Sequence, residues 1–163
     1  MKNNNVVEAL QNKGIEIIKE KGFHVKELIG TQDNYDGVDL IVSDDNGNSK
    51  KVDIKVDSTL SQIFYPAIGL TGLISIMHHN GDGIWKLPKY LMRNDVYVWL
   101  IDDVNSLIWE ISPKMLRNIG QYLVDTKMKY GKTDYFGRTD YFGRTHLLGV
   151  ISLYNCRLIS NEL

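Results

Sequence analysis

Apolar residues recur at helical spacing between Val6 and Ile18 and at strand spacing between Val38 and Val56. That change of period sets the first expectations for the fold. Val6, Val7, Leu10, Ile17 and Ile18 form one stripe, predicting an amphipathic helix from about Asn5 to Lys21 that Gly22-Phe23 brings to an end. After an intervening strand, residues 37–43 read as a buried strand and residues 50–57 as its neighbour, with Asp44-Asp45-Asn46-Gly47-Asn48 as the turn of a hairpin. In the second of these strands Val52, Ile54 and Val56 share one face, while Asp53, Lys55 and Asp57 share the other.

The same signals continue downstream. Residues 95–102 and 107–111 form a second hairpin pattern around Asp103-Val104-Asn105-Ser106. Ser112 then caps a helix with Pro113 at its first position, and Lys114, Met115, Leu116, Ile119 and Leu123 follow a helical period. Residues 66–79 are apolar and contain glycine, which suits either a buried helix or a loop with a short strand. Residues 147–159 read as one long or broken strand holding Cys156 as a small buried residue. Thr133-Asp134-Tyr135-Phe136-Gly137-Arg138 is repeated without change over residues 139–144. A unit this short is no solenoid repeat, so it is expected to lengthen a surface loop or hairpin before the last strand.

Candidate chemistry sits on the first hairpin. Asp39 is followed after thirteen residues by Asp53-Ile54-Lys55. A hard divalent cation such as Mg²⁺ takes oxygen ligands and keeps several waters, so the two carboxylates are enough to hold it against a substrate phosphate. Lys55, one full strand period beyond Asp53, is placed to steady the attacking water or the charge growing on the phosphoryl group. The same alternation also arises on an antiparallel sheet with one wet face and no catalysis.

The order helix, strand, strand introduced by Asp39, then D-x-K strand resembles the PD-(D/E)XK nuclease superfamily, which includes restriction enzymes and Holliday junction resolvases. The resemblance is best over residues 5–57 and rests on order and motif. It implies an α/β (α+β) fold with a restriction-endonuclease-like core, a central mixed β-sheet flanked by helices and motif residues on the second and third core strands. By it Asp39 matches the first acidic residue, Asp53 the second and Lys55 the motif lysine. Val38 stands where the name-giving proline would, and glycine followed by an aliphatic residue is a frequent substitute there. Many members also carry a helix-borne glutamate that reaches the metal. Glu8 and Glu16 are the candidates, and Glu8 is preferred for its distance ahead of Gly22. The resemblance further implies a Mg²⁺-dependent DNA endonuclease in which Mn²⁺ can substitute, cutting a junction or a restriction-type site. Cutting both strands with one small domain calls for a homodimer.

Composition narrows the alternatives. The 163 residues are enough for one domain with a real core, and no Pro/Gly/Ser-rich linker divides them. No apolar run approaches the roughly 20 residues that span a bilayer, and residues 1–5 lead into the first helix without a signal-like apolar core, so a cytosolic protein away from membranes is expected. Cys156 is the sole cysteine, which leaves no internal disulfide and no cysteine-based zinc site. His78-His79 point in different directions and lack further ligands at zinc spacing. No phosphate-cradling glycine loop is present.

The net charge of −1 is unevenly spread: residues 1–83 hold 8 Lys/Arg against 12 Asp/Glu, and residues 84–163 hold 11 against 8. The candidate metal site lies in the acidic half. In the basic half Lys114, Arg117, Lys127, Lys129, Lys132, Arg138 and Arg144 are interleaved with Tyr122, Tyr130, Tyr135 and Phe136, a pattern suited to contacting a nucleic-acid backbone. The competing expectation is a non-catalytic nucleic-acid- or protein-binding module on the same fold.

Overall fold

A computed structural model describes residues 2–56, 64–65, 69–79, 89, 93–118, 136–139, 145–152 and 156–163. The chain opens with helix α1 (Lys2–Glu20), somewhat longer than its apolar stripe predicts. Gly22 ends it in the left-handed region at φ 94°, and Phe23 turns back into the core. Strand β1 (His24–Glu27), the short helix α2 (Gln32–Tyr35), β2 (Leu40–Ser43) and β3 (Ser49–Val56) follow. Next come β4 (Phe64–Tyr65), β5 (Gly69–His79), β6 (Val96–Asp102), β7 (Leu107–Ile111), β8 (Phe136–Thr139), β9 (Thr145–Ser152) and β10 (Arg157–Leu158).

These strands form two sheets. The first runs β1-β2-β3-β6-β7-β10, and the second runs β4-β5-β9-β8. Within the six-stranded sheet, as described, only β3 and β6 are parallel; the other pairs are antiparallel, so the fold is α+β with a mixed sheet. Both expected hairpins are present. Residues 66–79, which the sequence leaves open between helix and strand, hold β5, and the expected last strand is broken between the two sheets as β9 and β10. Part of the tandem repeat is β8, in register with β9 from Phe136↔Leu148 to Thr139↔Thr145. The helix after Ser112 begins as expected, with Met115 N donating to Ser112 Oγ at 3.2 Å and Leu116 buried. Its expected continuation through Ile119 and Leu123 lies outside the described residues, as do Asp57, Arg144 and the basic and aromatic run over 119–135.

One layer of the core lies between α1 and the six-stranded sheet. Ile15, Ile17 and Ile18 meet Val52 and Ile54 of β3, Leu40 and Val42 of β2, and Trp99 and Ile101 of β6. Phe23 packs on Trp99 with ring centroids 5.7 Å apart. Lys13 reaches Asp103 at 3.1 Å and fixes the helix to the β6–β7 turn. Val98 and Leu100, of opposite parity to Trp99 and Ile101, are also fully buried, so the second face of the sheet is covered as well.

Both hairpins close by the same device. Asp44 Oδ1 accepts from Asn46 N and Asn48 N at 3.0 and 2.9 Å, and Asp102 Oδ1 accepts from Val104 N and Asn105 N at 3.0 and 3.1 Å. An aspartate at the strand end thus satisfies the turn's amide donors, and an asparagine amide bonds its second oxygen, from Asn48 and Asn105 respectively. Burial alone would raise the Asp44 carboxyl. The donors from Asn48, Leu163 and Asn46 outweigh that effect and hold it below the ordinary value.

Gly14 sits where α1 comes close to the sheet. A Cβ there would lie 2.7 Å from Val56 Cγ2 and 3.2 Å from Ile101 Cδ1. Alanine gains about 1 kcal/mol in helix propensity, whereas overpacking costs about 1–3 kcal/mol. Gly14→Ala is therefore expected to lower the urea midpoint, and Val56→Ala in the same chain to recover part of the loss. A more stable Gly14→Ala protein would show that the helix can move off the sheet.

Candidate active site

Strand alternation puts Asp53 and Lys55 on the face of β3 opposite α1. Val52 and Ile54 face the helix core, while Asp53 pairs with Val98 of β6 and Lys55 with Leu100. Asp39 stands one residue ahead of β2, one step past the Leu40↔Val52 pair, and so lies across from Asp53 on that face. Its Oδ2 accepts from Ile54 N at 2.8 Å, and its own N–H donates to Val52 O at 3.0 Å. These bonds tie the carboxylate to the D-x-K strand itself.

The route into β2 places that carboxylate. Thr31 caps α2 by accepting from Asn34 N, and Gly37 takes φ 94°, which lets the chain turn back. Val38 N then donates to Asp33 O at 2.9 Å and delivers Asp39 to the strand.

Lys55 Nζ lies 2.7 Å from Asp53 Oδ1. The Asp53 side chain is only 8% exposed and that of Lys55 36%, so the carboxylate is covered while the lysine reaches toward solvent. Among the described residues no donor other than this ammonium reaches Asp53 Oδ1. Both carboxyls titrate above the ordinary range. Burial raises Asp39 most and the Asp53 charge raises it further, against Lys55 and the Ile54 N–H, moving it from 3.8 to about 7. Asp53 is also raised by burial, with Lys55 opposing through its charge and hydrogen bond.

The structure brings Asp39, Asp53 and Lys55 together and leaves the helix glutamates apart. Glu8 and Glu16 are exposed on α1, which packs on the other face of the sheet. Among the described residues no three His, Cys, Asp or Glu side chains gather into a metal-binding group. Among the described residues, Asp39 and Asp53 are the two carboxylates that could serve together as metal donors. The pair still fits a hard divalent cation, since that ion needs one or two carboxylates and takes water or substrate oxygens elsewhere. Cys156 is partly buried, and burial pushes its thiol up to about 11, away from nucleophilic use.

Sequence reasoning missed a second cluster on the same face. Lys51, two residues before Asp53, lies 3.5 Å from Asp33 and 3.6 Å from Asp95. Arg93 makes a two-pronged contact with Asp95 at 2.8 Å and approaches Asp33 at 3.5 Å. Lys51 extends the same period-two row as Asp53 and Lys55, a signal present in the sequence. Its partners come from distant segments.

No protein-family model, curated protein or solved structure matches this chain. Among the described residues no helix is long and apolar enough to cross a membrane.

The raised Asp39 value fixes a sign for stability. The folded chain holds that proton more tightly than the unfolded chain, so the contribution to folding is complete below 3.8 and lost as pH rises through about 7. Asp39→Asn keeps an acceptor for Ile54 N and removes the charge. The variant should match the wild type near pH ~4 and exceed it by about 2–4 kcal/mol near pH ~8 in denaturant titrations. An equal difference at both pH values would show that the Asp39 carboxyl titrates alike in the folded and unfolded chains.

Proposed function

We propose that the chain is a metal-dependent endodeoxyribonuclease on a PD-(D/E)XK-like core, with Asp39 and Asp53 as metal ligands and Lys55 as the catalytic lysine. The observation that carries this reading is the juxtaposition of two desolvated carboxyls with one lysine on a single sheet face. A mixed sheet with Asp39 one residue ahead of its second strand and Asp53 and Lys55 on its third supports it.

The roles follow from the chemistry of the groups. In hydrolysis a water oxygen adds to phosphorus, one P–O ester bond breaks, and the departing sugar oxygen takes up a proton. Asp39 and Asp53 would hold Mg²⁺, with Mn²⁺ able to substitute, and the bound cation supplies positive charge at the phosphoryl group. Asp39 must lose its proton to serve as a ligand, so metal affinity is expected to climb as pH rises toward 7 and above. Lys55 holds its ammonium beside Asp53 Oδ1, on the more exposed side of the pair, where a phosphate oxygen or the incoming water would lie. Cutting both strands of a duplex would require two copies of the site, hence a homodimer.

A second reading, a non-catalytic DNA- or protein-binding module, is favoured by the Asp53–Lys55 ion pair, which would also stand as a purely structural contact. Activity separates the two. Against linear, single-stranded, flapped and four-way-junction DNA with Mg²⁺ or Mn²⁺, the wild type should cut at least one substrate, and EDTA should stop it. Lys55→Ala and Asp53→Asn should each slow cleavage by about a hundredfold or more with circular dichroism unchanged. Full activity in both variants would sink the assignment.

A further inference from the structure

Beside the aspartate pair, four charged side chains from three segments form one neutral network. Lys51 comes from β3, Asp33 from α2, and Arg93 and Asp95 from the stretch leading into β6. Their side chains are 20–45% exposed, so the network is open to solvent and is no buried structural core. Lys89 adds a further cation on Asp36, next to the same short helix, at 3.8 Å. Lys51 is on the same face of the strand as Asp53 and one full period from it. Lys51 and Lys55 thus flank Asp53, and each bears carboxylates of the chain's own.

We propose that Lys51 and Arg93 form a backbone-phosphate subsite for nucleic acid next to the aspartate pair, and that Asp33 and Asp95 occupy it in the free protein as internal competitors. Arg93 donates two-pronged from its planar fork to Asp95, and the same fork can donate to two oxygens of a phosphodiester. Lys51 is a point charge shared by two carboxylates at 3.5 and 3.6 Å, distances at which neither contact is a tight hydrogen bond. Exposed ion pairs of this kind are weak, so a polyanion that releases condensed counterions can displace them. A phosphate held by Lys51 and Arg93 would then lie one strand period from the buried Asp53, on the side away from Lys55. The subsite rests on the nuclease reading for its neighbour and adds to it a device that lowers affinity for nucleic acid until a strand displaces the carboxylates.

The sign of the carboxylate substitutions tests this. Binding of a short fluorescein-labelled DNA duplex to the full chain would be followed by anisotropy in EDTA across a salt series, so that no cleavage interferes. Lys51→Ala and Arg93→Ala should weaken binding and reduce the slope of log K against log salt by about 1 each. Lys19→Ala, on the exposed side of α1, should leave it unchanged. Asp33→Asn and Asp95→Asn should tighten binding about two- to fivefold, the opposite of what loss of a structural contact would produce. Weaker or unchanged binding in both asparagine variants, lysine and arginine variants indistinguishable from Lys19→Ala, or no binding by the wild type would each overturn the proposal. Parallel assays with Mg²⁺ keep the two readings apart. Binding with these signs but no cleavage removes the nuclease and leaves the subsite, while cleavage with the wrong signs removes only the subsite.

Discussion

Two carboxyl groups brought side by side on one sheet face, Asp53 buried and Asp39 partly so, with the Lys55 ammonium on Asp53, are the constraint on which the rest of this structure turns. Burying even a single ion costs several kcal/mol after relaxation, and a second like charge adds to that cost. Here the cost is offset by the Lys55 contact at 2.7 Å and the Ile54 N–H at 2.8 Å, and by a proton held on Asp39 up to about pH 7. Such an arrangement persists only where the surrounding fold over-determines it. Both hairpins are closed by aspartate-capped turns, and α1 is pinned by Lys13 to Asp103 and by the close approach of Gly14 to Val56. These contacts tie together the strands that carry the carboxylates and the helix packed behind them.

A second buried charge lies on the helix side of the sheet and contrasts with the first. Glu110 accepts from Lys50 at 3.1 and 3.0 Å and from the Trp99 indole at 2.9 Å, while Lys50 also bonds Leu163 O and stacks over Tyr97 at 4.2 Å. Every charge there has several partners, as a structural ion pair requires. Asp53 Oδ1 has one among the described residues. Glu110 thus anchors the sheet through several donors, whereas among the described residues Asp53 Oδ1 meets only Lys55.

Much of this is legible in the sequence. Period-two alternation puts Asp53 and Lys55 on one face, the Asp-Asn-Gly and Asp-Val-Asn-Ser segments mark both hairpins, and Ser112-Pro113 marks a helix start. The helix stripe is only partly legible, because Gly14 and Ile15 carry close contacts with the sheet and a glycine leaves no hydrophobic mark. Residues 69–79 resist assignment because an apolar run has no period until its partner strand, β9, is known. Glu8 follows from family order alone, and the packing of α1 on the opposite face of the sheet leaves it exposed. The place of Lys51 in the row of Asp53 and Lys55 is legible, but its pairing with Asp33 and Asp95 is not, because ion pairing between segments far apart in the chain leaves no local pattern.

Everything proposed for the site requires that the aspartate pair bind a divalent cation in exchange for the Asp39 proton. Titrating Mn²⁺ into the wild type and into Asp53→Asn by calorimetry, at pH values either side of 7, tests that requirement directly. Saturable binding to the wild type that weakens and releases more protons as pH falls below 7 is expected, with none to the variant. Absence of binding at either pH, or equal binding by the variant, would contradict it.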